Sequence, residues 1–581
     1  RPDAGRARSG PFVNRWHDTL PIYSCAIQPI APARLATVLD YNLGQAAGLP
    51  PGQSLVGDGT AHDGAIQAPI LAGGQSWHLA TAGGDNNVRI WRIHPNIPSP
   101  AARAAAGNVP PHPPRAEYVA TLARHTGVVN VVRFSPSGDV LASAGDDGVV
   151  LFWVRTDHNV QSFGESHMGT TPETQFEKEV WRVRLRVRAS AQELYDLAWS
   201  ADEQYVAVGG TDFTVRIINA TDGTVVREVA EHQLHVQGVA WDPLGAYLAT
   251  QSSDRAMHMY HLSITARGIL ELRAASKTQR SDAQRRNSTD ENKTRMPNVN
   301  QQSAVEVPAL PVLRAPPSTT QSAGPNQLIP ARLYGDERCS SFFRRLAFSP
   351  DGALLATPTG QFFTSSAGND NARSMTGAVY LFARANFAQS NAPIAALPGH
   401  KTSTIAVSFS PILYRLREDA NGQAPVSVFG LPYRMLYAVA TQETVWIYDT
   451  QQAGPLYCFS NLHYASFTDL AWSPDGQTLL MASSDGYCSI AVFDYNELGR
   501  AYTYAEQPSL RRVEPVRVET RVSGELQSTC PTAPTAQPSA IGQCPAKDSA
   551  AAHSVKIGPS EDGMVKKKRR VALTFEGPLP S

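Results

Sequence analysis

Cysteine is scarce: six residues are scattered over 581, and none forms a CxxC pair. That excludes a disulfide framework, argues against a zinc ribbon or finger, and fits a reducing compartment. No apolar run approaches the roughly 18–20 residues of a membrane span. The basic start, Arg1–Gly10, has no apolar stretch behind it, so neither membrane contact nor a secretory signal is expected. Charged residues make up only 18% and balance, with 51 Lys plus Arg against 51 Asp plus Glu. A neutral chain is not one large nucleic-acid-binding surface, although segments of opposite sign can cancel. Enzyme signatures are missing too: there is no P-loop, GxSxG elbow, HExxH or strand-placed GxGxxG. The sequence therefore predicts no catalytic residue, no cofactor and no metal. Length alone, at roughly 100–200 residues per domain, suggests several domains.

What is present is a repeat written in turns. Val119–Val154 reads VATLARHTGVVNVVRFSPSGDVLASAGDDGVVLFWV. Within it His125 stands nine residues before Phe134, and Asp147 six before Trp153. The nine-residue offset recurs in His232–Trp241, His400–Phe409 and His463–Trp472. The six-residue offset recurs in Asp85–Trp91, Asp212–Ile218 and Asp254–Tyr260. SPSGD, SPDGA and SPDGQ, beginning at Ser135, Ser349 and Ser473, are turns after an apolar strand, with Gly supplying the turn geometry. Short apolar strands alternate with Gly/Asp turns, a period of two rather than of a helix. A four-stranded unit of this size cannot bury both faces alone, and radial stacking solves the problem.

The repeat resembles the WD40 family. The resemblance implies an all-β fold, a seven-bladed WD40 β-propeller. It also implies that His125, Ser143, Asp147 and Trp153 form a structural hydrogen-bonded tetrad. Seven units span about 14–93, 116–155, 178–220, 225–263, 332–386, 392–450 and 454–495. Ser190 takes the His position in the third, Gln442 the Asp position in the sixth, and the fifth has neither clearly. Assigning the repeat histidines to zinc or to catalysis would use them twice.

The expected organisation is an N-terminal extension at 1–13, a propeller at 14–498 and a disordered tail at 499–581. Loops fall at 29–75 and 94–115, and surplus residues sit in loops such as 156–177 and 361–377. A polar, then Pro-rich insert at 264–331 reads as disordered, at most with a helical turn near Ile269–Ala275. Charge resolves along these boundaries. The tail carries 12 basic and 8 acidic residues, the insert 9 and 5, and residues 1–13 carry 3 and 1. The remaining body is therefore at −10, an acidic propeller with basic arms. Ordinary solubility accounts for such a pattern without a specific partner.

More specific strings narrow the family. RWHDTLPIYSC begins at Arg15, LARHTGVVNVVRFSP at Leu122 and VQGVAWDPLGAYLA at Val236. SFFRRLAFSPDGALLATPT begins at Ser341, LPYRMLYAVATQETVWIYDT at Leu431 and SSDGYCSIAVF at Ser483. Together these resemble the middle, WD40-repeat subunit of chromatin assembly factor 1, to which the HIR/HIRA histone chaperones are related. The resemblance runs over roughly 14–498. It implies a nuclear, non-catalytic scaffold in a complex that deposits histones H3–H4 on newly replicated DNA. The implied partners are the large and small subunits of that factor, the anti-silencing function 1 chaperone and H3–H4, directly or through the complex. Strong direct DNA binding is not expected. Alternatives are a HIR/HIRA-type replication-independent subunit, or a generic WD40 adaptor. The first would need a large further domain after the tail motif, and the second leaves that motif unexplained.

The tail motif is Lys566, Lys567, Lys568, Arg569, Arg570, Val571, Ala572, Leu573, Thr574 and Phe575. Val571, Leu573 and Phe575 alternate, so an extended chain has one apolar face beside a basic flank. Such a segment suits addition to an exposed sheet edge, with Arg569 and Arg570 pairing partner carboxylates. It resembles the family's B-domain peptide, which implies docking of the anti-silencing chaperone. KKKRR also suffices as a nuclear localisation signal. A second candidate is Phe342–Arg345, where at least one of Arg344 and Arg345 is expected to be exposed as a contact surface for the large subunit.

Overall fold

The computed structural model describes residues 8–11, 16–32, 34–39, 76–94, 115–156, 177–265, 270–278, 332–335, 342–365, 373–388, 392–418, 427–493 and 495–502. They form seven four-stranded antiparallel sheets. Blade 1 is β2 (Ile22–Ile27), β3 (Trp77–Gly83), β4 (Val88–His94) and β5 (Arg115–Leu122). Blade 2 is β6 (Val129–Phe134), β7 (Val140–Gly145), β8 (Val149–Thr156) and β9 (Val180–Arg188). Blade 3 is β10 (Leu194–Trp199), β11 (Tyr205–Gly210), β12 (Val215–Asn219) and β13 (Val225–Val229). Blade 4 is β14 (Val236–Trp241), β15 (Tyr247–Ser252), β16 (Met257–Ile264) and β17 (Leu270–Thr278). Blade 5 is β18 (Ala347–Phe348), β19 (Leu354–Ser365), β20 (Arg373–Ala383) and β21 (Ala395–His400). Blade 6 is β22 (Thr404–Arg415), β23 (Tyr433–Thr441), β24 (Thr444–Asp449) and β25 (Tyr457–Ser460). Blade 7 is β26 (Phe467–Trp472), β27 (Thr478–Ser483), β28 (Cys488–Val492) and β1 (Arg8–Pro11).

The first strands of successive blades adjoin around a ring, and β26 returns to β2. The fold is a seven-bladed β-propeller. Its core is a set of slabs between blades. Leu151 and Trp153 of blade 2 pack on Val88 and Ile90 of blade 1, while Val150 and Phe152 face Val206 and Ile218 of blade 3. Alternate residues of one strand thus enter different slabs, which is what the period-2 pattern requires. Each fully buried Val, Leu, Ile or Phe contributes about 1.5–3 kcal/mol, so the slabs hold the ring together. The inner turns repeat one device. Val140, Leu354 and Thr478 donate their N–H to the hydroxyls of Ser135, Ser349 and Ser473. Gly138, Gly352 and Gly476 take positive φ in the same turns.

Several boundaries differ from the sequence reading. Five of the seven sequence units begin with the outer strand of the preceding blade: unit 116–155 holds β5 of blade 1 and then β6–β8 of blade 2. Residues 8–11, expected in an extension, are the outer strand of blade 7, paired Arg8 with Val492 through Pro11 with Ser489. The helical turn expected near Ile269–Ala275 is instead strand β17, aligned Leu270 with Ile264 and Thr278 with Met257. A lone strand signal reads as irregular chain until its partner is known. The surplus assigned to a loop at 361–377 is partly an extension of the β19–β20 hairpin, aligned Ser365 with Arg373. The remainder of the insert and the 499–581 tail beyond residue 502 lie outside the described residues.

Candidate functional site: tetrads, channel and docking segments

The tetrad in blade 2 is complete. A carboxylate only accepts, so His125 Nδ1 carries the proton toward Asp147 Oδ2 at 2.9 Å. Nε2 then accepts from the Ser143 hydroxyl at 2.7 Å, and Trp153 Nε1 donates to Ser143 Oγ at 2.9 Å. Burial alone would raise the Asp147 carboxyl, but His125 and the N–H groups of Thr126 and Val149 hold it below the ordinary range. Blade 1 has the same set in His17, Asp85, Thr81 and Trp91. Its histidine escaped the sequence reading because the nine-residue offset there ends on Ala26, and the 29–75 loop separates it from its aspartate. Blade 4 uses His232, Asp254 and Thr250. Burial works against ionisation of Asp254, yet His232 and the N–H groups of Gln233 and Ala256 lower its carboxyl to about 2.

The departures have chemical reasons. Ser190 donates to Asp212 in place of a histidine, at 2.8 Å. In blade 5 the Tyr334 hydroxyl lies 2.9 Å from Thr357 Oγ1, where a histidine would reach. Blade 7 keeps His463 against Asp485 at 3.0 Å, but Met481 stands where Ser143 would be. In blade 6, His400 meets no carboxylate among the described residues; it packs edge-on against Trp446 and Tyr448, whose hydroxyl lies 3.4 Å from its Nε2. Burial pushes its pKa down to about 4.

The Arg344/Arg345 interface expectation is overturned. Arg344 is 1% and Arg345 3% exposed. Arg344 Nη1 donates to the carbonyls of Ser252 and Gly335. Arg345 reaches the channel axis, where its Nη1 meets Asp196 Oδ1 at 2.8 Å. Its Nη2 donates to the carbonyls of Tyr23 and Asn130, and its Nε to that of Thr468. Of the Phe pair, Phe343 is buried with the Arg345 guanidinium 4.4 Å over its ring, while Phe342 is 65% exposed.

A bulge in the inner strand explains why arginine is needed here. Register shifts fall at Ile22/Ser24, Val129/Val131, Leu194/Asp196, Val236/Gly238, Thr404/Ala406 and Phe467/Asp469. Each bulge leaves one residue outside the ladder, and its backbone groups need other partners. Three of these carbonyls, at Tyr23, Asn130 and Thr468, accept from the Arg345 side chain. Two more, at Gln237 and Ile405, accept from the N–H groups of Arg344 and Arg345. The approach at Gly238 is so close that a Cβ there would run into the Arg344 carbonyl oxygen.

The charges close around the axis. Arg133 Nη1 meets Asp469 Oδ2 at 2.8 Å, and Ser24 donates to the same oxygen at 2.7 Å. Val239 N–H caps Asp196. Burial works against ionisation of Asp469, but Arg133 and Arg345 outweigh it and hold the carboxyl below its ordinary value. Two arginines and two aspartates thus form a neutral cluster linking blades 1, 2, 3, 5 and 7. Sequence reading missed Asp196 and Asp469. The available signal was a carboxylate at the same place in two otherwise apolar inner strands, LYDLAW and FTDLAW. The arrangement is structural; among the described residues no group of three or more His, Cys, Asp or Glu is placed to hold a metal. The tail motif Lys566–Phe575 lies outside the described residues.

Fold and tetrads define a WD40-type propeller. The profile of the CAF1B/HIR1 beta-propeller domain matches residues 66–297 and 287–498, and the chain belongs to that family. It is 32% identical over 477 residues to CAF1B, the chromatin assembly factor 1 subunit of that family, from Gallus gallus, covering 79% of this chain and 72% of that protein. It is 35% identical to the same chromatin assembly factor 1 subunit from Schizosaccharomyces pombe, covering 72% and 82%. Protein HIR1 of Kluyveromyces lactis is more distant, at 27% identity, with 41% of its length covered.

Proposed function

We propose that this chain is a non-catalytic scaffold subunit of a chromatin assembly factor 1 complex, acting in the nucleus in replication-coupled deposition of histones H3–H4. The observation that carries the reading is similarity to proteins named as the CAF1B-type component of that factor along most of the propeller, at 32–35% identity for the relatives above. The lower identity to protein HIR1 favours this reading over a replication-independent chaperone. The propeller supplies a seven-bladed ring as the scaffold. Affinity purification of the tagged chain tests the reading. Recovery of H3, H4 and the factor's other subunits supports it. Recovery of a cullin adaptor without histones would sink it.

Within this reading Lys566–Phe575 docks the anti-silencing function 1 chaperone by strand addition. Val571, Leu573 and Phe575 fill apolar sites, and Arg569 and Arg570 pair with carboxylates. The expected outcome is that Val571→Asp with Arg569→Ala abolishes pull-down by that chaperone, with the thermal midpoint unchanged. Undiminished capture by the double variant would remove the motif from the docking role.

A further inference from the structure

The outer strand of blade 2 differs from its counterparts in the other blades. β9 reads VWRVRLRVR, four arginines in nine residues with no acid. The outer strands β5, β13, β17, β21, β25 and β1 are each neutral or carry a single net positive charge. We propose that β9 is a docking edge for an acidic, extended polypeptide segment.

Three observations carry this. First, the arginines are presented to solvent. Arg184, Arg186 and Arg188 are exposed, and none forms an ion pair with a described carboxylate. Arg184 donates only to the Ala220 carbonyl, at 2.7 Å. The neighbouring acids are engaged elsewhere: Glu179 with His78 and Arg92, Asp222 with Thr224. Arg186 and Arg188, two residues apart on one face, repel each other.

Second, the strand has an open edge. Among the described residues β9 ends its sheet and pairs with β8 alone, so one row of its N–H and C=O groups lacks a described strand partner. A bulge at Phe152/Trp153 shifts the alternation. Arg182 consequently lies on the side of Val154, while Arg186 and Arg188 lie on the side of Leu151 and Val149. Arg186 and Arg188 therefore share one face of the edge. An extended segment paired there points every second side chain to that face, so carboxylates at alternate positions meet these arginines.

Third, the residue type fits a ligand better than edge protection. Protein edges are blunted by short strands, scattered charge and above all lysine, and β13 and β25 are short. The exposed Arg184, Arg186 and Arg188, in place of lysines, offer planar forks that bind carboxylates bidentately. Phosphate would satisfy the same forks, but only a polypeptide also matches the open main-chain row.

The test uses the full chain and labelled extended peptides in fluorescence anisotropy, at low and high salt. The probes are a Glu–Thr repeat, its Lys–Thr counterpart, a Glu–Thr repeat N-methylated at alternate amides, and a short duplex DNA. The expected result is binding of the Glu–Thr peptide, weakened by salt and absent for Lys–Thr. The triple variant R184E/R186E/R188E and N-methylation should each weaken binding by at least about tenfold. Should the triple variant unfold, the single variants R186E and R188E, checked by an unchanged melting temperature, take its place. Equal binding by the variants or by the N-methylated peptide, tighter binding of DNA, or no peptide binding at low salt would each overturn the proposal.

Discussion

At the scale of single residues, one turn position carries two different solutions for its histidine. Where a hydroxyl and a carboxylate are both available, as around His125 and His232, the histidine is held between them. Around His400, with no described carboxylate, burial sets the balance. His400 is pushed to about 4 by burial, against 6.5 for an unburied histidine. Its folded pKa is depressed, so the unfolded chain binds the proton more readily. The contribution is intact above pH 6.5 and is lost as pH falls through that value toward 4, amounting to about 3 kcal/mol. His400→Phe should flatten the fall in urea midpoint between those two pH values. A slope unchanged by the substitution would assign the acid sensitivity to other groups. Sequence spacing located His400 as a repeat histidine and already put Gln442 where its carboxylate would stand.

At the scale of elements, the inner strands explain what FFRR does. Pattern reading of Ser341–Thr359 saw two arginines after two aromatics and expected at least one of them at the surface. The bulges place carbonyls around the axis, and the Arg345 guanidinium donates to three of them while pairing with Asp196. Removing one member of a buried charge cluster leaves the others uncompensated, at about 3–5 kcal/mol. Arg345→Met is therefore expected to lower unfolding free energy by about that amount in urea titration, with Arg345→Lys intermediate, since an ammonium has fewer donors. A neutral Arg345→Met would mean that the cluster is replaceable by apolar packing.

At the scale of the whole molecule, a propeller must close. Here the chain's own residues 8–11 complete blade 7 beside β28, so the last blade is built from two distant parts of the sequence. Five of the seven sequence units also straddle two blades, which ties neighbours covalently. A chain lacking residues 1–11 should lose about 1–3 kcal/mol and be cleaved first near β28 in limited proteolysis. Unchanged cleavage and melting would show that β1 does not hold the ring.

The sequence by itself determined the repeat, the blade number and the tetrad of His125, Ser143, Asp147 and Trp153, because turns and period-2 strands are local in the chain. It also determined the family, through strings such as FFRRLAFSPDG and LARHTGVVNVVRFSP. Only the tertiary structure decided what lay between distant segments. It made residues 8–11 a closing strand, turned 270–278 into β17, buried Arg345 against Asp196, and left the arginines of β9 on an outer edge. The physical reason is the same in each case. Pairing of a strand edge or of a buried charge depends on groups tens to hundreds of residues away, and the local pattern records only that a partner is needed.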